Sequence, residues 1–325
     1  MNSITLILCT YNRHRSLAVA LESLAASVMP DSVEWDILVA DNNSKDQTKQ
    51  VVEDFTRRFP GRFRYLFVSQ QGKSHALNAS IQAARGNILA FTDDDVTVEP
   101  DWLAKLTAPF EDRKWAGSGG KIRLGGYFTP PSWLAISGPF NLGGSIVQFD
   151  EGKEQGDLKR APFGANMAFR KCIFAKYGDF RTDLGRTGKS LIGNEDTELG
   201  ERLMAAGESL CYVPSAIVNH PVPPERLTKK YFRSYWFNYG RSVARQAGKR
   251  MPLWKIPFHY LRQLKRKLHW MFVVDHHWIK NPQGRFFCET SLYQLAGEML
   301  ETYQQSWSRK EVAKDDSNVV AVSPR

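Results

Sequence analysis

Asn87-Ile88-Leu89-Ala90-Phe91-Thr92-Asp93-Asp94-Asp95-Val96 is the stretch that decides the fold. An apolar run ends in three consecutive carboxylates, the pattern of a buried strand that terminates in acids. Parallel sheets bind ligands at the carboxyl ends of their strands. Carboxylates gathered there repel one another unless a cation lies between them. A hard divalent ion, Mn2+ or Mg2+, suits one or two carboxylates together with substrate phosphates. Alone, the triplet would read as an acidic turn before Pro100; its neighbours favour the site.

Upstream, apolar runs alternate with helical patterns. Residues 4–9, 35–40, 63–68 and 88–92 read as strands, and 17–24, 48–59 and 76–84 as helices. This order predicts an α/β fold with a doubly wound, mostly parallel sheet flanked by helices. Four polar segments then fall along one sheet edge: Cys9-Thr10-Tyr11-Asn12-Arg13, Val39-Ala40-Asp41-Asn42-Asn43-Ser44, Gly72-Lys73-Ser74-His75-Ala76-Leu77-Asn78 and the acidic triplet. They supply a carboxylate for ribose hydroxyls (Asp41), a cation near a base or phosphate (Lys73) and a metal site. That combination describes a nucleotide-diphosphate pocket. No Gly-x-Gly-x-x-Gly follows the first strand, and Gly72-Lys73-Ser74 lacks the upstream glycine of a Walker loop. A nicotinamide dehydrogenase and a P-loop ATPase both fit poorly.

Beyond residue 117 the regularity fades into Gly-, Pro-, Ser- and aromatic-rich sequence, which predicts short strands and long loops to about 164. A helix is expected after Asn194, and a short strand over 210–213 leading to Pro214. From Thr228 the pattern is helical and basic to about 277, broken by Pro252 and Pro257. The polar end after Ser308 is expected to be disordered.

The 325 residues carry a net charge of +10, unevenly placed. Thirteen Lys or Arg and one acid lie between Glu225 and Trp270. A basic segment implies an anionic partner. Its interleaved Trp254, Phe258 and Trp270 with Lys255, Arg262, Lys265, Arg266 and Lys267 suit a membrane-surface helix over residues 226–275. A helix packed on the catalytic domain, with a solvated basic face, is the competing reading. Nucleic acid is disfavoured, since no nucleic-acid module is recognised. Cys9, Cys172, Cys211 and Cys288 form neither a metal motif nor a disulfide framework, which points to reducing cytosol. The first residues lack a signal-peptide pattern, and no apolar run approaches the roughly 20 residues of a membrane span. The expected location is therefore cytoplasmic, including the cytoplasmic face of the membrane.

The chain resembles glycosyltransferase family 2, the inverting transferases with the GT-A fold. The matching pieces are Leu8 to Arg13, Val39 to Ser44, Lys73 to Asn78 with Gly86, and Phe91 to Asp95 through Pro100-Asp101-Trp102-Leu103. Asn166-Met167-Ala168-Phe169-Arg170 and Gly193-Asn194-Glu195-Asp196-Thr197-Glu198-Leu199 follow. Six motifs in the correct order make the likeness specific, over about residues 3–220. The resemblance implies a GT-A-like domain over 1–225, with a nucleotide-binding half to about 95 and an acceptor half after it. A basic helical extension over 226–307 and a tail over 308–325 would complete the chain.

The resemblance also implies roles. Asp95 would bind the metal, with Asp93 and His220 as further ligands, and Asp93 or Asp94 would contact the sugar nucleotide. Thr10, Tyr11, Asn12, Arg13 and Asp41 would hold the nucleoside, with Lys73 beside them. Asn166 would line the donor or acceptor pocket. Apart from the resemblance, Arg226, which follows His220-Pro221-Val222-Pro223-Pro224, is a candidate contact for diphosphate or anionic lipid. Asp196 matches the general base, with Glu195 as the alternative. A helix starting at these acids would favour the ionised form a base needs. The implied reaction passes a sugar from a UDP- or dTDP-sugar to a hydroxyl of a lipid-linked or polysaccharide acceptor. A metal-dependent nucleotide-sugar hydrolase or nucleotidyltransferase, or a non-catalytic binding module, are the alternatives.

Overall fold

In a computed structural model the chain is described over residues 3–126, 128–188, 190–274 and 281–319, with only the backbone of 273–274 and 309–319. The elements follow in order: β1 (Ser3–Thr10), α1 (His14–Ala25), β2 (Glu34–Asp41), α2 (Thr48–Arg58), β3 (Phe63–Phe67), α3 (Lys73–Ala83) and β4 (Ile88–Asp93). Next come β5 (Thr97–Val98), α4 (Trp102–Thr107), β6 (Trp115–Gly125), β7 (Gly156–Asp157), β8 (Met167–Arg170), α5 (Cys172–Tyr177), α6 (Glu195–Ala205) and β9 (Ser209–Pro221). The helices α7 (Lys229–Gln246), α8 (Lys255–His269) and α9 (Pro282–Val319) close the chain.

The strands form one sheet in the order β3-β2-β1-β4-β8-β6-β9-β5, with β7 paired to β9. The first four are parallel, as the βα alternation predicts; β8 is antiparallel to both neighbours. Strands buried on both faces need continuous apolar sequence. Leu6, Ile7, Leu8, Ile37, Val39, Leu89 and Ala90 meet that need with no exposed area. Register then sets the site: Thr10 lies opposite Asp41 on one side of β1, and Cys9 opposite Asp93 on the other.

Three expectations need correction. The strand foreseen over 210–213 continues as β9 through Pro214 to Pro221, because the pairing with β6 skips from Val213 to Ile217. A proline without an N–H is accommodated where the ladder is interrupted. Pro257 does not break the last basic helix. It is the third residue of α8, in the first turn, where a missing N–H removes no intrahelical bond. The helix α9 runs past Ser308 to Val319. Residues 309–319 contain no Gly or Pro to stop the helix. Residues 320–325 of the expected disordered tail lie outside the described residues.

The chain divides into two compact units. The first comprises Met1–Thr129, Gly143–Lys189 and Glu195–Pro224, and holds the sheet. The second comprises Pro130–Leu142, Ser190–Asn194 and Glu225–Arg325. Here α7 and α9 pack without side chains between them at two points. A Cβ on Gly240 would overlap the carbonyl of Gln294, and one on Gly297 the carbonyl of Phe237. Arg241 and Arg245 of α7 both donate to the buried Glu301 of α9, at 3.0 and 2.8 Å. Trp133 packs edge-on against Phe232 and Phe286.

Candidate active site

The acidic strand end is a network of opposite charges within the first unit. Arg13 precedes α1, and its guanidinium donates to Asp94 at 3.0 Å and to Asp95 at 2.9 Å. Lys73 opens α3, and its ammonium lies 3.1 Å from Asp93 and 3.4 Å from Glu195. The loop containing Gly185 fixes that helix start: Lys73 N donates to Arg186 O at 2.9 Å, and Ser74 Oγ to Leu184 O at 2.8 Å. Nothing in the sequence marked this loop except the glycine, which adopts φ +92°. One ligand atom each from Asp93, Asp95 and His220 lies within 4.8 Å of the others. His220 Nε2 is 3.4 Å from Asp95 Oδ1, while its buried Nδ1 has no hydrogen-bond partner among the described residues.

The electrostatics follow from burial and from these partners. Burial pushes the Asp94 carboxyl up to about 6; Arg13 opposes this, and Asp95 and Asp93 reinforce it. Burial also raises Asp93, but Lys73, His220 and Arg13 override it and hold the carboxyl below its usual range. Glu195 is raised by burial and by Asp196 and Asp93, with Lys73 opposing. Burial disfavours the Lys73 cation, yet Asp93, Glu195 and Asp196 keep it charged well past its usual range. Burial pushes the Cys9 thiol up to about 12, so it is no nucleophile at neutral pH.

At the start of α6 the two acids differ. Glu195 is buried and tied to Lys73. Asp196 is half-buried; its Oδ2 accepts from Gly164 N at 2.5 Å and its Oδ1 from Thr197 N at 2.7 Å. The Gly164 amide carried no sequence signal beyond its glycine.

The nucleoside end is more closed. Asp41 is 2 % exposed; it accepts from Ser44 N at 2.8 Å and from the Tyr65 hydroxyl at 2.8 Å. Tyr65, an ordinary strand aromatic in the sequence, therefore fixes Asp41. Thr10 is buried, Tyr11 is exposed, and Asn12 turns the chain at φ +52° while accepting from Lys45 N. Asn166 requires a correction. It is fully buried, donates to Lys121 O and Ala216 O, and accepts from Trp102 Nε1. Both its amide hydrogens are spent on the backbone, so it positions β6 and β9 rather than lining a pocket. Arg226 lies in the second unit, half-buried in the turn Pro224–Arg226.

The profile of the family described as Glycosyl transferase family 2 matches residues 5–178. Succinoglycan biosynthesis protein ExoM of Rhizobium meliloti is 30% identical over 254 residues, covering 76% of this chain and 77% of ExoM. A glucosyl-dolichyl phosphate glucuronosyltransferase of Haloferax volcanii is 26% identical over 252 residues, 74% of this chain and 76% of its own. Among solved structures, the mannosyltransferase PcManGT of Pyrobaculum calidifontis, in complex with GDP-Man and Mn2+, superposes with a TM-score of 0.56. That match covers 99% of this chain and 76% of the mannosyltransferase at 16% identity, a likeness of fold.

Proposed function

The chain belongs to glycosyl transferase family 2, and from that premise we propose that it transfers a sugar from a nucleotide-diphosphate donor to a hydroxyl acceptor with inversion. The observation that carries this reading is one connected set of charges: Asp93, Asp95 and His220 converge, and Lys73 links Asp93 to Glu195, the neighbour of Asp196. A leaving-group site and a base site are thereby joined through a single side chain.

Asp93, Asp95 and His220 would hold a divalent cation, Mn2+ or Mg2+. The two carboxylates suit such a hard ion, and His220 Nε2, 3.4 Å from Asp95 Oδ1, is placed to add a third ligand. When bound, the cation would offset charge growing on the departing diphosphate. Asp94 and Arg13 would border the sugar nucleotide, and Thr10, Tyr11, Asn12 and Asp41 would hold its nucleoside. Asp196 would take the acceptor hydroxyl's proton as that oxygen attacks the face opposite the leaving group. One base and one displacement invert the anomeric centre. Buried Glu195, held by Lys73, would position the helix start.

The family resemblance supports a UDP- or dTDP-sugar as donor. Kinship with a succinoglycan biosynthesis protein and with a transferase acting on a dolichyl phosphate-linked sugar supports a polysaccharide or lipid-linked acceptor. The test is a thermal-shift panel of UDP-, dTDP- and GDP-sugars, with Mn2+ or with EDTA, on wild type and Asp95→Ala. A donor at 100 times its dissociation constant should add about 2.7 kcal/mol of stability. The gain should require the metal and vanish in Asp95→Ala, along with transfer. Undiminished transfer in EDTA would sink the metal assignment. Release of free sugar regardless of acceptor would point to a hydrolase.

A further inference from the structure

We infer that the outer face of α8 is a docking surface for an anionic lipid bilayer. The helix has two apolar faces where a water-exposed helix has one. On its inner side Ile256 and Tyr260 are buried at 2% and 3% exposure, clustered with Leu295 of α9. The Tyr260 hydroxyl is 2.8 Å from that of Thr302. On the opposite side Trp254, Phe258 and Leu261 stand 68%, 70% and 50% exposed. Their spacing, i, i+4 and i+7, puts them on one stripe, and Lys265 continues it. Lys255, Arg262 and Arg266 flank the stripe, and α8 contains no acid.

A contiguous exposed apolar patch with a charged rim marks an interaction surface. The chemistry selects the occupant. A polyanion without hydrocarbon would satisfy the cations and leave the aromatic stripe wet. A second copy would bring the same basic rim against itself across a two-fold axis, and like charges facing each other oppose association. An anionic bilayer satisfies both: aromatic rings settle at headgroup depth, and long basic side chains reach the phosphates. Among the described residues no helix is long and apolar enough to cross a membrane, so the attachment they provide is to the surface.

The test is co-sedimentation of the full chain with phosphatidylcholine vesicles, with and without phosphatidylglycerol, at low and high salt. Wild type should bind the anionic vesicles selectively, and part of that binding should survive high salt. R262Q/K265Q/R266Q should weaken low-salt binding about a hundredfold, since each cation near an anionic surface contributes about fivefold. W254S/F258S/L261S should lose the salt-resistant fraction. All six positions are exposed, and circular dichroism checks that the fold persists. Quenching of wild-type tryptophan fluorescence by brominated lipid should report insertion without any substitution. Equal binding to neutral vesicles, no binding at low salt, or a stripe-dependent dimer in light scattering would overturn the proposal. None of these readouts involves transfer, so failure here leaves the catalytic reading standing.

Discussion

The strand-end cluster of the first unit hides charge where a core would hide hydrocarbon. The helix α8 of the second unit shows hydrocarbon where a surface would show charge. Asp94, Glu195 and His220 are each at most 4% exposed, while Phe258 is 70% exposed. Both arrangements are unfavourable for a chain alone in water. They differ in how the cost is met. The buried acids carry their own counter-ions, Arg13 and Lys73, whereas the α8 stripe stands half or more exposed. A site that must stay folded while a ligand comes and goes needs internal compensation. A surface that docks and undocks can leave its cost to the partner.

The comparison is tested most severely at the base. Asp196→Asn keeps the size of the side chain and an acceptor for one of its two backbone donors, Gly164 N or Thr197 N, but cannot take a proton. Transfer should fall about 10²- to 10⁴-fold with donor affinity little changed. A larger loss in Glu195→Gln than in Asp196→Asn, in steady-state assays, would move the base to the buried acid and break the division of roles.

A smaller effect should follow from removing internal compensation. Lys73→Met leaves Asp93 and Glu195 without their shared cation. Breaking a buried pair costs about 3–5 kcal/mol; with Lys73 a quarter exposed, about 1–3 kcal/mol is expected. Chemical denaturation in EDTA would measure it. Mn2+ should recover part of the loss, because an external cation replaces the missing internal one. A loss that Mn2+ does not touch would mean Lys73 stabilises the fold independently of the acids.

The smallest effect belongs to a carboxylate compensated mainly by backbone and hydroxyl donors. Asp46 accepts from His14 N and Thr48 N, both at 3.0 Å, and from the Thr48 hydroxyl at 2.5 Å, which ties the starts of α1 and α2 together. Burial raises its pKa, but these bonds override it and hold the carboxyl below the usual range. A depressed pKa contributes stability above the unfolded value of 3.8 and loses it as pH falls through the folded value. Asp46→Ala should cost about 1–2 kcal/mol near neutrality. Denaturation curves of the two proteins should converge as pH drops below 3.8; a constant gap would assign the loss to packing.

The same contrast explains what the sequence made legible. Strands β1 to β4 and the acids at their ends were readable because burial on both faces forces continuous apolar runs, and the chain must leave them in polar segments. Asp93, Asp95 and His220 were named from motifs, and they converge. Asn166 misled, since an asparagine that caps a pocket and one that staples three buried groups are identical in sequence. The supports of the site, Tyr65, Gly164 and the Leu184–Arg186 loop, were illegible: two act through backbone atoms, and the third resembles any strand aromatic. The basic and aromatic pattern of α8 was visible, but which aromatics faced outward depended on Pro257 sitting in the first turn rather than ending the helix.

The glycine contacts between α7 and α9 have a consequence in time. Gly240 is synthesised roughly 60 residues before Gly297, which at 5–20 residues per second is about 3–12 s. Throughout that interval α7 has no α9 to receive it, and Phe232 has Trp133 but not yet Phe286 to pack against. The first unit's strands, by contrast, can begin pairing as soon as β2 leaves the ribosome. Birth order thus makes the second unit the later of the two to complete its packing.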